Sequence, residues 1–298
     1  MAGTLTVSQA TCHIPELWSS RTRDAVEANV VAAGLVDQSY TKQLVGGPGD
    51  VMNIPYISNP TAETKTANTN IVLQVIGPSS AEASQAFSVG THQHVAWGVE
   101  TITDLQSQTD LASKYGGKAG YVLGAAADTN LHTLPQSFSQ TVGTLGVEPT
   151  DDNWLRASQY LDDANAPDGD RFIIVRPATY YSLLKSDKYT RTDYVGPASA
   201  GKAVKNAMIG RLYNAPIFKT TLVRAAAAGQ ADNWFCHKSG VYYCSQKTYA
   251  KVAYSINQDS EVSLHSHVYG YAEALQPPIT AGGGAATDVF NVVVYGTS

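Results

Sequence analysis

The chain has 298 residues, enough to bury one large core or two smaller ones, and its 43% apolar content is ordinary. Charged residues make up only 15%, so something besides charge covers part of the surface: subunit contacts, which are rich in aromatics such as the 17 Tyr here, or a solvated Ser/Thr/Asn/Gln surface. A formal net charge of −5 argues against a sequence-reading DNA binder, which needs a basic patch to neutralise phosphates.

Residues 1–14 sustain no period and are predicted as an extended arm. A helix is expected over 15–33, with Ser19 or Ser20 as its cap, Val26, Val30 and Ala33 on one face, and Gly34 as its stop. Gly46, Gly47, Pro48 and Gly49 then form a turn or hinge. From Thr41 to Thr101 the chain reads as a long two-stranded arm. Its strands are 51–57 (VMNIPYI) and 71–76 (IVLQVI), its polar tip is NPTAETKTANTN, and GPSSAEAS (77–84) is a loop. Such a ribbon cannot bury both faces against one small core, and exposed strands invite pairing with another chain. Residues 87–99 alternate well enough for a further strand, which carries His92 and His94.

A helical stretch is predicted over 104–138. Leu105, Ala112, Tyr115, Ala119, Val122, Ala126 and Leu131 recur mostly three or four apart and so share a stripe. Unbroken, it would run about 50 Å. Gly116, Gly117 and Gly120 weaken it by up to about 1 kcal/mol each. A boundary falls within 143–148, after which Thr150 caps a helix over DDNWLRASQYLDDA, acidic at its positive end, with Trp154, Leu155, Ala157, Tyr160 and Leu161 available for packing. RFIIVRP (171–177) is a short buried strand and TYYSLLKS (179–186) a helix. IGRLYNAPIFKTTLV (209–223) turns around Gly210 and enters a strand over 216–223. More strands are expected over 241–245, 250–257, 263–273 and 289–295, and no internal repeat is visible.

Three cysteines, Cys12, Cys236 and Cys244, without CxxC spacing support neither a disulfide framework nor a zinc ribbon. The start MAGTLTVSQATCHIPELW lacks a basic segment followed by an apolar one, and no apolar run is long enough to span a membrane. A soluble chain made in the cytoplasm is expected. Two His-x-His pairs, His92/His94 and His265/His267, each put two imidazoles on one face of a strand, where they could meet a transition metal if other ligands joined them. Structural or interfacial roles are the simpler reading. CHKSGVYYC (236–244) is too widely spaced for a zinc knuckle and fits a hairpin around Ser239 and Gly240. DDANAPDGD (162–170) is dense in carboxylates, but Pro167 falls at a liganding position and the Gly and terminal Glu of a calcium loop are missing. GxSxG, P-loop, HExxH and dinucleotide signatures are absent. No catalytic, cofactor-binding or metal-ligating residue is assigned.

The phrases IPELWS, VVAAGLV, GDVMNIPYIS, DLQSQTDLASKYGGKAGYVLGAAADTNL, TDDNWLRASQYLDDANAPDGDRFIIVRPATYYSLL and IGRLYNAPIFKTTLV stand in one order along nearly the whole chain. In that order they resemble the major capsid proteins of tailed bacteriophages, the family with the HK97-type fold. The weight lies in their collinearity, since no single phrase is as specific as a catalytic motif.

The resemblance implies an α+β fold divided into an N-terminal arm (1–40), an extended β-hairpin loop (41–84), a peripheral domain with a long spine helix (85–143 and 263–298) and an axial domain (144–262). It implies a structural protein of the virion, assembled in the host bacterial cytoplasm into pentamers and hexamers of an icosahedral head around double-stranded DNA. No sequence-specific DNA contact and no membrane are expected. Implied partners are further copies of itself, a portal protein, sometimes a decoration protein, and a separate scaffolding protein, because the long helical region that some members carry as an internal scaffold has no counterpart here. Some members also crosslink a loop Lys to an Asn; Lys65 is at the tip, but no Asn or acid is assigned and a solvated lysine is the simpler reading. An encapsulin-like compartment shell is the alternative within the architecture. A metal-dependent enzyme using the His-x-His pairs is the alternative from another class.

Overall fold

A computed structural model describes residues 30–41, 51–56, 62–73, 83–106, 111–190, 210–225, 229–275 and 288–297. The arm expected over 1–14, the hinge glycines Gly46, Gly47 and Gly49, and Cys12 lie outside these residues. Of the helix expected around 15–33, the described part is a single turn, α1 (Ala32–Leu35).

Among the described residues the strands form three sheets. A six-stranded sheet has the order β4 (Gln140–Val142), β11 (Asn291–Gly296), β8 (Ala231–His237), β5 (Arg171–Val175), β7 (Ala215–Lys219), β6 (Arg211–Leu212). A three-stranded sheet has the order β3 (Thr91–Glu100), β10 (Ser260–Glu273), β9 (Val241–Ser255), and a two-stranded ribbon joins β1 (Val51–Tyr56) to β2 (Ala83–Ser88). The helices are α2 (Thr101–Gln106), α3 (Leu111–Leu131), α4 (Asp151–Asp163), α5 (Pro177–Lys185) and α6 (Asp187–Thr190).

The six-stranded sheet is covered on both faces, which is why β5 and β8 are buried along their whole length and RFIIV has no polar alternation. Because successive residues of a strand point to opposite faces, Ile173 and Val175 meet Trp154, Ala157 and Leu161 of α4 and Leu183 of α5. Phe172 and Ile174 turn the other way, into a cluster with Trp234, Ala127 and Leu131 of α3, Val36, and Tyr243 and Tyr269 of the three-stranded sheet. The strands do not follow sequence blocks: β9 pairs with β10 in the smaller sheet, whereas β11 lies between β4 and β8 in the larger one.

Several local expectations are corrected. The partner of β1 is β2, with Met52 opposite Phe87 and Ile54 opposite Gln85, and the apolar run at 71–73 is not a strand. The ribbon buries one face, since Ile54 and Phe87 are buried while Asn53, Pro55, Ala86 and Ser88 are exposed. The stripe of α3 that faces inward is Ala119, Leu123, Ala127 and Leu131, four residues apart, while Tyr115 and Val122 face solvent. This helix ends at Leu131, and a 3₁₀ turn (Leu134–Gln136) follows. Pro135 explains the stop, because its ring would collide with the carbonyl of Leu131 in a continuing helix. At about 1.5 Å per residue, the described α3 spans about 32 Å.

The turn in IGRLYNAP is at Tyr213 and Asn214, whose φ angles of 46° and 66° give the two-residue hairpin turn that matches strand twist. The following strand ends at Lys219, short of Val223. CHKSGVYYC is not a hairpin. Its 3₁₀ turn (Lys238–Gly240) carries the chain out of β8 in one sheet and into β9 in another, and the strands expected over 241–245 and 250–257 are one continuous β9.

Candidate assembly surfaces

The ribbon is held to the body through its inner face. Ile54, Phe87 and Val89 form a small cluster with Cys244, edged by Tyr40, Met52 and Tyr242. Gln85 completes the attachment: its side-chain amide donates to the Glu273 carbonyl at 2.6 Å and accepts from the Leu275 N–H at 3.0 Å. β10 can come this close only because residue 270 is glycine. A Cβ there would fall well inside contact distance of the Ser88 carbonyl oxygen and 3.0 Å from the Val89 Cα.

The segment before the ribbon is fastened by a residue that sequence patterning missed. Asp128, fully buried on α3, accepts from the backbone N–H groups of Val31 at 3.2 Å and Ala33 at 2.9 Å. Asp37 then bridges to the start of β9, its N–H donating to Val241 and its carbonyl accepting from Tyr243. A buried carboxylate inside an otherwise apolar helix face was the available signal, because burying one demands dedicated donors.

Between strand ends, residues 62–73 are exposed throughout. A turn at 66–69 is closed by the Thr69 N–H and hydroxyl, both donating to the Thr66 carbonyl, with Asn68 in the left-handed region at φ 63°. Lys65 lies just before it. Just after it, Ile71, Val72 and Leu73 are 71%, 74% and 86% exposed. A second exposed apolar patch lies at the far end of the three-stranded sheet, where Val252, Tyr254 and Ile256 are 58%, 60% and 86% exposed. Beside it a cleft of about 480 Å³ opens between α3 and the sheet, lined by Trp97, Val99, Gly116, Val252, Tyr254 and Glu261 among others.

The two histidine pairs do not converge. In the antiparallel register His94 is opposite Ser266 and His92 opposite Val268, whereas His265 and His267 are opposite Val95 and Gln93, so the pairs occupy opposite faces of one sheet. His92 bonds the Ser266 hydroxyl at 2.9 Å, His265 stacks on Trp97 at 4.9 Å, and His267 bonds the Ser245 hydroxyl at 2.9 Å and lies against Tyr269. Burial lowers the His267 pKa. Among the described residues no three His, Cys, Asp or Glu side chains are grouped to hold a metal, and no helix is long and apolar enough to cross a membrane. Cys236 and Cys244 are buried free thiols in different clusters, and burial pushes the Cys236 pKa well up.

Two of the four carboxylates of DDANAPDGD pair with a cation supplied by the chain itself. The buried guanidinium of Arg171 reaches Asp162 at 2.7 Å and Asp168 at 3.2 Å and donates to the Pro167 and Ala166 carbonyls. A second hub is Asp151, in the first turn of α4, which accepts from Lys188 at 2.5 Å and from the hydroxyls of Tyr189 and Tyr213. Burial pushes this carboxyl's pKa up, but the three donors outweigh it and hold the value below the ordinary one. Burial and the Asp151 bond push Tyr213 up to about 12. In one chemical unit the hub joins α4, α6 and the β6–β7 turn. At the other end of the sheet Asp288 is buried, accepting from Asn291 at 2.6 Å and the Ser139 N–H at 3.3 Å; burial, with Glu273 nearby, pushes it up to about 7.

No protein-family model and no curated protein matches the sequence. Solved structures do match. A structure from Mycobacterium phage Che8 aligns with TM-score 0.77 and 22% identity over 94% of this chain and 96% of that one. The capsid structure of the cyanophage P-SCSP1u aligns at 0.75 and 11% over 94% and 92%. The mature capsid of bacteriophage PhiM1 aligns at 0.70 and 13%, again over 94% and 92%. Agreement over nearly the full length of each chain, despite such low identity, is agreement in architecture, and the chain therefore has the α+β fold of HK97-type phage capsids.

Proposed function

We propose that this chain is a major capsid protein, a structural subunit that assembles into the pentamers and hexamers of an icosahedral phage head enclosing double-stranded DNA. The observation that carries this proposal is the reciprocal, near-complete match to phage structures, two of them capsids by name. The open surfaces agree with it. A run such as Ile71–Val72–Leu73 held in water is a fault in a monomer and a contact in an assembly. The net charge of −5 suits a shell that contains a nucleic acid without gripping it.

On this proposal residues 1–40 are the N-terminal arm and 41–84 the extended loop that lies over a neighbouring subunit. The peripheral domain (85–143 and 263–298) is built on the three-stranded sheet with α3 as its spine. The axial domain (144–262) is built on the six-stranded sheet, which also takes β4 and β11 from the peripheral segments and gives β9 to the three-stranded sheet. A separate scaffolding protein, a portal and, in some heads, a decoration protein are the partners, and the finished subunit belongs to the virion after assembly in the bacterial cytoplasm. Weak repeated contacts, each correctable, add up through many copies into a closed shell.

The test is electron microscopy of the full chain expressed alone and with its genomic neighbours. Closed shells, tubes or isolated capsomers support the proposal. Absence of any assembly under both conditions contradicts it.

A further inference from the structure

We propose that the side chains of Glu273 and Asp288 form a proton site that couples pH to the docking of the β1–β2 ribbon on its own subunit. With a proton on the pair the ribbon is fastened; with the proton lost, its anchor at the end of β10 loosens. The coupling concerns contacts within one chain and goes beyond the capsid proposal.

Both carboxylates are tied to one short span. Glu273 Oε2 accepts from the Ser137 hydroxyl at 2.9 Å. Asp288 Oδ2 accepts from the Ser139 N–H at 3.3 Å, and the Asp288 carbonyl takes the Ser139 hydroxyl at 2.5 Å. A second path runs through the fully buried Asn291, whose amide donates at 2.6 Å to Asp288 Oδ1 and at 2.6 Å to the Gly240 carbonyl. That same carbonyl accepts from the Ala274 N–H at 2.8 Å. The ribbon hangs on this strand end, because Gln85 bonds the Glu273 carbonyl and the Leu275 N–H on either side of Ala274. The backbone that grips the ribbon is therefore the backbone that the acid pair holds in place.

Charge makes the arrangement sensitive to a proton. The donors to the two carboxylates are a hydroxyl, a backbone N–H and a side-chain amide, all neutral, so they do not cancel a second negative charge as a lysine or arginine would. Burial, helped by the charge of Glu273, pushes Asp288 up to about 7, and burial pushes Glu273 up as well. Of the other titratable groups packed here, the Cys236 thiol on β8 is kept neutral by its burial, and the His237 ring turns to Ser239 and Phe290. Once both acids ionise, one of them has to reach water. Glu273 is the less buried and ends its strand, so it is the one that turns outward, and it takes the 273–275 backbone with it.

The experiment is hydrogen exchange across β2 in dissociated full-length subunits at pH 6 and pH 8, corrected for the intrinsic pH dependence of exchange. An opening that returns Asp288 to water is linked to proton release, so the corrected opening of β2 should rise about tenfold over this interval. It should do so at rates above those of α4, which marks a local opening. Asp288→Asn should hold the two values within about twofold of each other, and Glu273→Gln, which keeps an acceptor for the Ser137 hydroxyl, should cut the rise to about threefold or less. The second variant carries the test if the first does not fold. A wild-type rise below about twofold, a rise that persists in full in the variants, or β2 amides that exchange only as slowly as those of α4 would each overturn the coupling. None of these results depends on assembly, so the capsid proposal stands or falls separately.

Discussion

Replacing Gly270 with alanine adds one carbon atom at the point where the ribbon crosses β10. That atom would meet the Ser88 carbonyl oxygen far inside contact distance, with the Val89 Cα at 3.0 Å and its Cγ2 at 3.1 Å. Two of the three are backbone atoms, so no rotamer change relieves them. Overpacking of this kind costs about 1–3 kcal/mol, and the rigid neighbour puts Gly270→Ala toward the upper end. Detaching the ribbon is the worse alternative. It would expose Phe87, Ile54 and Val89, each worth about 1.5–3 kcal/mol when buried, and break both Gln85 bonds. The ribbon is therefore expected to stay docked under strain of about 2–3 kcal/mol. For a chain of 298 residues that lowers the melting temperature by roughly 3–5 °C. Thermal melts of dissociated subunits, with hydrogen exchange across β2, would measure it. A variant that melts within about 1 °C of wild type, with unchanged exchange at Phe87, would refute the docking described here.

The same substitution on α3 should act in the opposite direction. Gly120→Ala and Gly124→Ala meet nothing within 4 Å, and each should stabilise the helix by about 0.5–1 kcal/mol, seen as a higher midpoint in urea. Arg171→Met removes two ion pairs and leaves the Ala166 and Pro167 carbonyls without their donor, and it should cost about 2–4 kcal/mol in the same assay; calcium should not restore it. Asp288 makes stability depend on pH. Its folded-state pKa of about 7 lies above the ordinary 3.8, so the native protein holds a proton that the unfolded chain has released. The associated stability is complete below about pH 4 and is lost as pH rises through 7, at most about 4 kcal/mol in all. Melts at pH 5 and pH 8 should show the loss, and Asp288→Asn should flatten it.

Where burial alone decides, single-sequence patterning was enough. RFIIV is apolar on both faces because both faces of its sheet are covered, and of the residues expected to pack from α4, Trp154, Ala157 and Leu161 are buried and Tyr160 partly so, while Leu155 is exposed. Patterning failed where a partner distant in sequence sets the outcome. The run at 71–73 has strand composition but is not in a strand, whereas ASQAFS looks weak because, of its described side chains, only Gln85 and Phe87 face inward. On α3 two stripes fit a period of 3.6, and only the neighbouring sheet selects Ala119, Leu123, Ala127 and Leu131 over Tyr115 and Val122. The histidine pairs were visible, but their separation onto opposite faces is a consequence of the β3–β10 register. Asp128 is hard to read from sequence because the donors it accepts from are backbone N–H groups of a distant segment, and Arg171 because half of its partners are backbone carbonyls, which leave no trace in residue types.

Sedimentation velocity of the purified full-length chain across a wide concentration range tests the central claim most directly. A capsid subunit predicts species at five and six times the 31.7 kDa chain mass, or closed particles far larger, growing at the expense of monomer as concentration rises. A single 31.7 kDa species at every concentration, unchanged by coexpression with neighbouring genes, would contradict the account.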